Sequence, residues 1–224
     1  MQNVDSLAEQ IKNNPLFLEL KGVIENNAYH DNESDYDHLI KTYEIAKEQI
    51  KGNFIKNPQA KKLFLEFTNT PLDGLTNGDV MLLTALVHDI GKILYYKEGK
   101  IGKPLRHVTK TGHVNMPGHE YWGSTIIPEL LKNTGLSEKI IERIVTVVRL
   151  HDTFGARYFN PLSNWPLEEI IDDIKARAEG LYKEALFNVY CDCFSAKPFM
   201  QTRPKIEEVF NQPSLYTPRE YFIK

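Results

Sequence analysis

Residues 84–92 read TALVHDIGK, and the spacing of apolar positions leading into them decides the fold class. His88 follows Ala85, Thr84 and Met81 by three, four and seven residues, so at the helical period its imidazole shares their inward-facing stripe. Asp89 comes next and is expected to be partly buried too. Working outward, the apolar spacing keeps the helical period over most of the chain, and short stretches rich in Gly, Pro and Asn separate the segments. The expectation is an all-α domain with helices near 4–12, 16–27, 36–52, 58–67, 78–91, 119–133, 138–152, 167–178, 181–196 and 204–210. Asn77, Ser137 and Asn164 are the expected N-caps of the fifth, seventh and eighth, and Gly135 and Gly180 suit helix ends. Residues 93–117 depart from this pattern: β-branched and aromatic residues surround a Lys-Glu-Gly-Lys tetrapeptide, which predicts a short β-hairpin insertion.

Composition narrows the class. The 224 residues are 42% hydrophobic and 25% charged, as in ordinary globular chains. A chain of this size buries about 70% of its unfolded surface and needs no metal or disulfide merely to fold, so a metal site is read as chemistry. The expected organisation is one domain over residues 1–224, with a motif-bearing core at about 30–200, a helical extension at 1–29 and a tail at 201–224. A net charge of −3 supplies no global basic field for nucleic acid. Cys191 and Cys193 form neither a disulfide framework nor a zinc motif, and no secretory signal or membrane span is visible, so a cytoplasmic location is expected.

Seven His and eleven Asp would form about a third of one His-Asp dipeptide by chance, yet three occur: His30-Asp31, His88-Asp89 and His151-Asp152. Their helical placement adds weight. His151 ends the stripe Ile140, Ile144, Val147 and Val148; His119 opens the stripe Gly123, Ile126, Ile127 and Leu130. Asp192 extends Ala185 and Val189, and His38 precedes Thr42 and Ile45. Six groups, His38, His88, Asp89, His119, His151 and Asp192, thus lie on the buried sides of five helices, with no Lys or Arg expected on the same faces. Buried carboxylates demand pairing, protonation or a cation. Imidazole and carboxylate together suit one or two divalent ions such as Mn, Fe, Ni, Co, Zn or Mg.

These residues resemble the HD-domain metal-dependent phosphohydrolases, with His38, then His88-Asp89-Ile90-Gly91-Lys92, Gly118-His119-Glu120, Leu150-His151-Asp152 and finally Asp192 in the family's ligand order. The likeness covers about residues 30–200 and is nearest to the HD domain attached to bacterial CCA-adding tRNA nucleotidyltransferases, here free-standing. It implies a helical bundle with the metal site at its centre, two ions bridged by Asp89, and hydrolysis of phosphomonoesters or phosphodiesters, commonly of nucleotides. The expected substrate is a phosphate-containing small molecule, a nucleotide or an RNA end such as a 2′,3′-cyclic phosphate.

Beside the six ligands, Asp89 and Lys92 are the expected catalytic residues. Lys92 lies one turn after His88, where its ammonium would meet a phosphate or serve the end of the helix dipole. Arg106 and His113, in the basic segment 93–117, are candidate substrate contacts. Asp152 is a candidate partner for His151. Tyr95, Tyr96, Tyr121 and Trp122 are either packing residues or stacking surfaces for a base. Two other readings share the ligand order. One is an HD-fold mixed-valent di-iron oxygenase; the other is a non-catalytic metal- or nucleotide-binding regulatory module.

Overall fold

The computed structural model describes residues 3–26, 31–96, 107–108, 110, 114–159, 163–178, 180–195 and 202–218. Among them the fold is all-α. The helices are α1 (Val4–Lys12), α2 (Pro15–Leu18), α3 (Asp35–Gln49), α4 (Pro58–Thr68), α5 (Asn77–Val87), α6 (His119–Leu131), α7 (Glu138–Tyr158), α8 (Leu167–Arg177), α9 (Tyr182–Ser195) and α10 (Arg203–Phe210). Three antiparallel two-stranded ribbons interrupt them. They pair β1 (Ile24–Asn26) with β2 (Asp31–Ser34), β3 (Pro71–Leu72) with β4 (Leu75–Thr76), and β5 (His107–Val108) with β6 (Val114–Asn115). The last ribbon is the hairpin expected within 93–117, although Ile90–Tyr96 begins that excursion as a 3-10 helix.

The centre of the bundle is α5, buried from Val80 through Val87 on every side. A capping box starts it: the Asp79 backbone N–H donates to Thr76 Oγ1 at 3.1 Å, and the Thr76 backbone N–H donates to Asp79 Oδ2 at 2.8 Å. Thr76 therefore takes the place expected of Asn77, whose side-chain amide donates instead to the Phe67 carbonyl. Around α5 pack α3, α4 and α7, while α9 closes against α3 and α7 and α6 lies along α7. Phe54, Phe64, Tyr190 and Phe210 form an aromatic cluster in the core. No helix among the described residues is long and apolar enough to cross a membrane.

Three element boundaries differ from the sequence reading. The helix expected over 16–27 stops at Leu18, passes through a 3-10 turn to Gly22 and becomes β1, where Glu25 turns inward to a buried cation. The fifth helix ends at Val87 rather than at 91. The seventh continues past 152 to Tyr158, because its last turn is held from α8: Tyr158 Oη and Arg157 Nε donate to Asp173 Oδ2 at 2.6 and 3.0 Å. Arg177 Nε adds a third donor at 3.0 Å. Ser137 caps α7 as expected, whereas α8 opens at Pro166 with no side-chain cap from Asn164.

Burial alone would raise the Asp173 carboxyl, but these three donors outweigh it and hold the carboxyl down at about 2. A folded-state value below the ordinary aspartate value stabilises the fold above pH ~4, and that contribution disappears as pH falls through the folded-state value. Asp173→Asn is expected to lower Tm near neutral pH by about 2–4 °C, the equivalent of one net hydrogen bond in a chain this long. The difference from wild type should shrink in melts taken progressively down towards pH ~2.

Candidate metal centre

His38, His88, Asp89, His119, His151 and Asp192 converge at one end of the bundle. His38 stands on the first turns of α3, His88 caps the end of α5, Asp89 lies in the turn that follows, His119 opens α6, and His151 and Asp192 lie on α7 and α9. The two oxygens of Asp89 face different partners. Its Oδ2 lies 3.5 Å from His38 Nε2 and 3.4 Å from His88 Nε2; its Oδ1 lies 3.0 Å from His119 Nε2 and 3.6 Å from His151 Nε2. Asp192 Oδ1 completes the first side, at 3.1 Å from His38 Nε2 and 3.7 Å from His88 Nε2. On the second side His119 Nε2 and His151 Nε2 are 3.2 Å apart.

The outer ring nitrogens settle the tautomers. Nδ1 of His88, His119 and His151 contacts the carbonyls of Ala85, Met116 and Val148 at 3.0, 3.0 and 2.5 Å. A carbonyl only accepts, so each Nδ1 carries the proton. Ser195 Oγ donates to the Asp192 carbonyl at 2.7 Å, which leaves it as acceptor for His38 Nδ1 at 3.3 Å. In their neutral forms all four imidazoles therefore aim an Nε2 lone pair inward. No well-formed hydrogen bond satisfies buried His88 Nε2 or Asp89 Oδ1. Such a concentration of lone pairs needs protons or a cation. Of three groups whose ligand atoms lie within 4.8 Å of one another, two are buried within this cluster, His38 with His88 and Asp192, and His88 with Asp89 and His151. Both fit a divalent ion in donor type.

Electrostatics agree. Burial alone would lower the His88 pKa, yet the Asp89 and Asp192 carboxylates raise it to about 10, and Asp89 likewise raises His119 against its burial. Burial pushes Asp192 upwards, but His38 and His88 hold its carboxyl well below the usual range. The His119 side chain is 14% exposed and that of Asp192 29%, against 5% or less for His38, His88, Asp89 and His151. The centre is therefore most accessible at His119 and Asp192.

Local backbone packing sets this geometry. Gly91 meets α6 so closely that a Cβ there would fall inside contact distance of the His119 carbonyl oxygen and the Gly123 nitrogen, and 2.9 Å from Gly123 Cα. Gly118 precedes α6 with φ +84°, a left-handed conformation that favours glycine. The turn after Val87 also corrects one expectation. Lys92, three residues after Asp89, points inward, and its Nζ lies 2.8 Å from Asp89 Oδ2, 3.1 Å from Glu25 Oε1 and 3.5 Å from Asp35 Oδ1. Asp89 thus has a lysine partner after all. Lys92 is not a helix-end residue in solvent: it is 5% exposed.

Residues 35–185 match the family described as HD domain. The chain belongs to the HD-domain family. The match contains five of the six converging residues and stops seven residues short of Asp192. Membership suggests a metal-dependent, hydrolase-type module, and the His/Asp groups provide places for the metal. No curated protein matches the chain.

Other expected residues fare differently. Asp152 is exposed and lies within 4.8 Å, ligand atom to ligand atom, of His119 and Glu120. Arg106 and His113 lie outside the described residues, as does the side chain of Tyr96. Tyr95 is a packing residue, 6% exposed, whose hydroxyl donates to the Pro117 carbonyl, whereas Tyr121 is 52% exposed. Cys191 and Cys193 are free and buried, as core residues should be. Sequence reasoning missed Glu25, Asp35 and Ser195. Only Ser195 carried a signal, its i+3 spacing from Asp192 on one helical face.

Gly91→Ala is expected to cost about 2–3 kcal/mol in chemical denaturation, at the upper end for overpacking because backbone rather than a side chain must yield. Divalent-ion binding should displace protons from the cluster, so apparent affinity rises from pH ~6 to ~8. Titration calorimetry in buffers of different ionisation enthalpy checks this, and a pH-independent affinity would remove the imidazoles from the ligand set.

Proposed function

We propose that this HD-domain chain is a phosphohydrolase that uses one or two divalent ions to cleave phosphomonoesters or phosphodiesters of nucleotides or RNA ends. The observation that supports it best is the division of partners around Asp89, with His38, His88 and Asp192 on one side and His119 and His151 on the other. In this reading those six residues would hold the metal, with the Asp89 carboxylate facing both groups of imidazoles. Bound divalent ions supply Lewis-acid polarisation of a phosphoryl oxygen and a lowered pKa for the attacking water.

The residues of the chain do the rest. Each Nδ1–H anchor keeps an imidazole oriented without spending its Nε2. Lys92 holds Asp89 Oδ2 by a charge-assisted contact, and Asp192 and His119 line the side on which a phosphoester enters. Asp152 and Glu120 stand beside His119 and orient it or a water. Arg106 and His113 are proposed to contact the substrate from the segment before α6. The whole chain acts as one domain, and the two free buried cysteines suit a cytoplasmic location. The kinship with the HD domains of CCA-adding nucleotidyltransferases rests on the strings at Gly118-His119 and Leu150-His151-Asp152 together with HDxGK.

The enclosure of Lys92 by three carboxylates favours a second reading, the mixed-valent di-iron oxygenase, because a lysine that meets phosphate is one of two features, with the basic segment 93–117, that favour hydrolysis. One experiment separates them: elemental analysis, followed by phosphate release from nucleoside monophosphates, cyclic nucleotides and an aryl phosphate with Mn, Ni, Co, Mg or Fe. Metal-dependent phosphate release is expected, and Asp89→Ala should lose bound metal and turnover together. Two irons per chain with oxygen uptake and no phosphate release would replace the hydrolase with the oxygenase. An Asp89→Ala protein with full metal content would overturn the ligand assignment.

A further inference from the structure

Lys92 is enclosed in a way that the metal centre alone does not explain. A lysine ammonium has three N–H donors, and three carboxylates surround this one: Asp89 at 2.8 Å, Glu25 at 3.1 Å and Asp35 at 3.5 Å. Glu25 and Asp35 are themselves buried, 3% and 1% exposed. They come from a structure that precedes the centre in the chain. Glu25 belongs to β1, whose register pairs it with Glu33 and Ile24 with Ser34 on β2; Ser34 then caps α3 by accepting from the Asp37 backbone N–H at 3.1 Å. The Asp35 backbone N–H donates to the Val23 carbonyl at 2.9 Å. The hairpin and the start of the His38 helix are thus one unit. Glu25 lies ahead of residues 35–185, so membership in the family does not account for it.

We propose that Glu25, with Asp35, is a positioning residue for the metal centre. The two carboxylates hold the Lys92 ammonium against Asp89 Oδ2 and offset its charge, so that this ammonium orients the Asp89 carboxylate without repelling cations beside it. The sign follows from Coulomb's law in a poorly solvated site: an ammonium next to a cation position weakens cation binding, and each carboxylate beside the ammonium restores it. Removing the charge of Glu25 therefore weakens ion binding while Lys92 is present; without the ammonium the buried Glu25 carboxyl takes up a proton, and the same substitution then removes no charge. This inference rests on the reading of the six residues as metal ligands.

The test is a double-mutant cycle read by Mn titration calorimetry, with no activity required. Glu25→Gln, nearly isosteric, should weaken Mn binding about tenfold, the lower end for outer-shell changes at metal sites. Glu25→Asp, which keeps the charge, should recover most of that loss. In a Lys92→Met background, Glu25→Gln should change affinity less than twofold. An equal tenfold loss in both backgrounds would overturn the proposal and leave the hairpin a packing element only. Asp35→Asn runs the same cycle from the other carboxylate and carries the test if Glu25→Gln fails to fold. A wild-type protein that binds no divalent ion would overturn the metal-centre reading itself, which is a different outcome from additivity within the cycle.

Discussion

A single carboxylate in the interior organises this end of the molecule. Asp89 is 3% exposed, and its two oxygens meet four imidazoles and one ammonium within 3.6 Å. An isolated carboxylate at that depth is costly enough to neutralise itself by protonation. Here the surrounding positive groups reverse the sign: burial raises the Asp89 carboxyl, but His88, Lys92 and His119 together hold it well below the ordinary range. Keeping those groups in place requires α3 and α6 to begin and α5 and α9 to end at the level of His151, which lies within α7. The lengths and caps of the helices are consequences of that requirement.

The close approach of backbones makes the convergence possible. The 3-10 segment after Asp89 runs against the first turns of α6, and the contact is glycine on glycine, Gly91 against Gly123, with Val148 of α7 behind it. With no side chain between them, α6 comes near enough for His119 to reach Asp89 while His151 reaches it from α7. The HDxGK string can be read in these terms. Its His and Asp are cation-seeking groups, its Gly provides the approach of α6, and its Lys lies against the Asp three residues before it.

This explains which parts were legible in the sequence. Five of the six converging residues could be read because each continues or opens the apolar stripe of a helix, and i, i+3, i+4 spacing is a local property; Asp89 could be read as the neighbour of His88. The inward place of Lys92 was legible but missed: i+3 spacing from Asp89 puts the two on one helical face, yet no lysine was expected there. Glu25 was hidden by a different error: within a helix over 16–27 it is an ordinary surface acid, and only the change to β1 turns it inward. The extension of α7 to Tyr158 depends on Asp173, fifteen residues further on, and no local pattern announces such a tie. The ribbon of β5 and β6 was legible from β-branched residues around glycines, but its partners were not.

The anchoring of the histidines shows how local rules yield a non-local site. His88, His119 and His151 each donate Nδ1–H to the carbonyl three residues earlier, so each is oriented by its own stretch of chain. Correct helix boundaries suffice to aim those three Nε2 lone pairs. His38 is different. Its Nδ1 is held by Ser195, 157 residues away, and the same hydroxyl donates to the carbonyl of Asp192. One serine thus aligns His38 and Asp192, the first and last of the six converging residues in the chain, and couples the last turn of α9 to the first turns of α3. The side of the centre built by His38 and Asp192 therefore depends on tertiary docking, while the side built by His119 and His151 follows from local structure once α6 and α7 pack together.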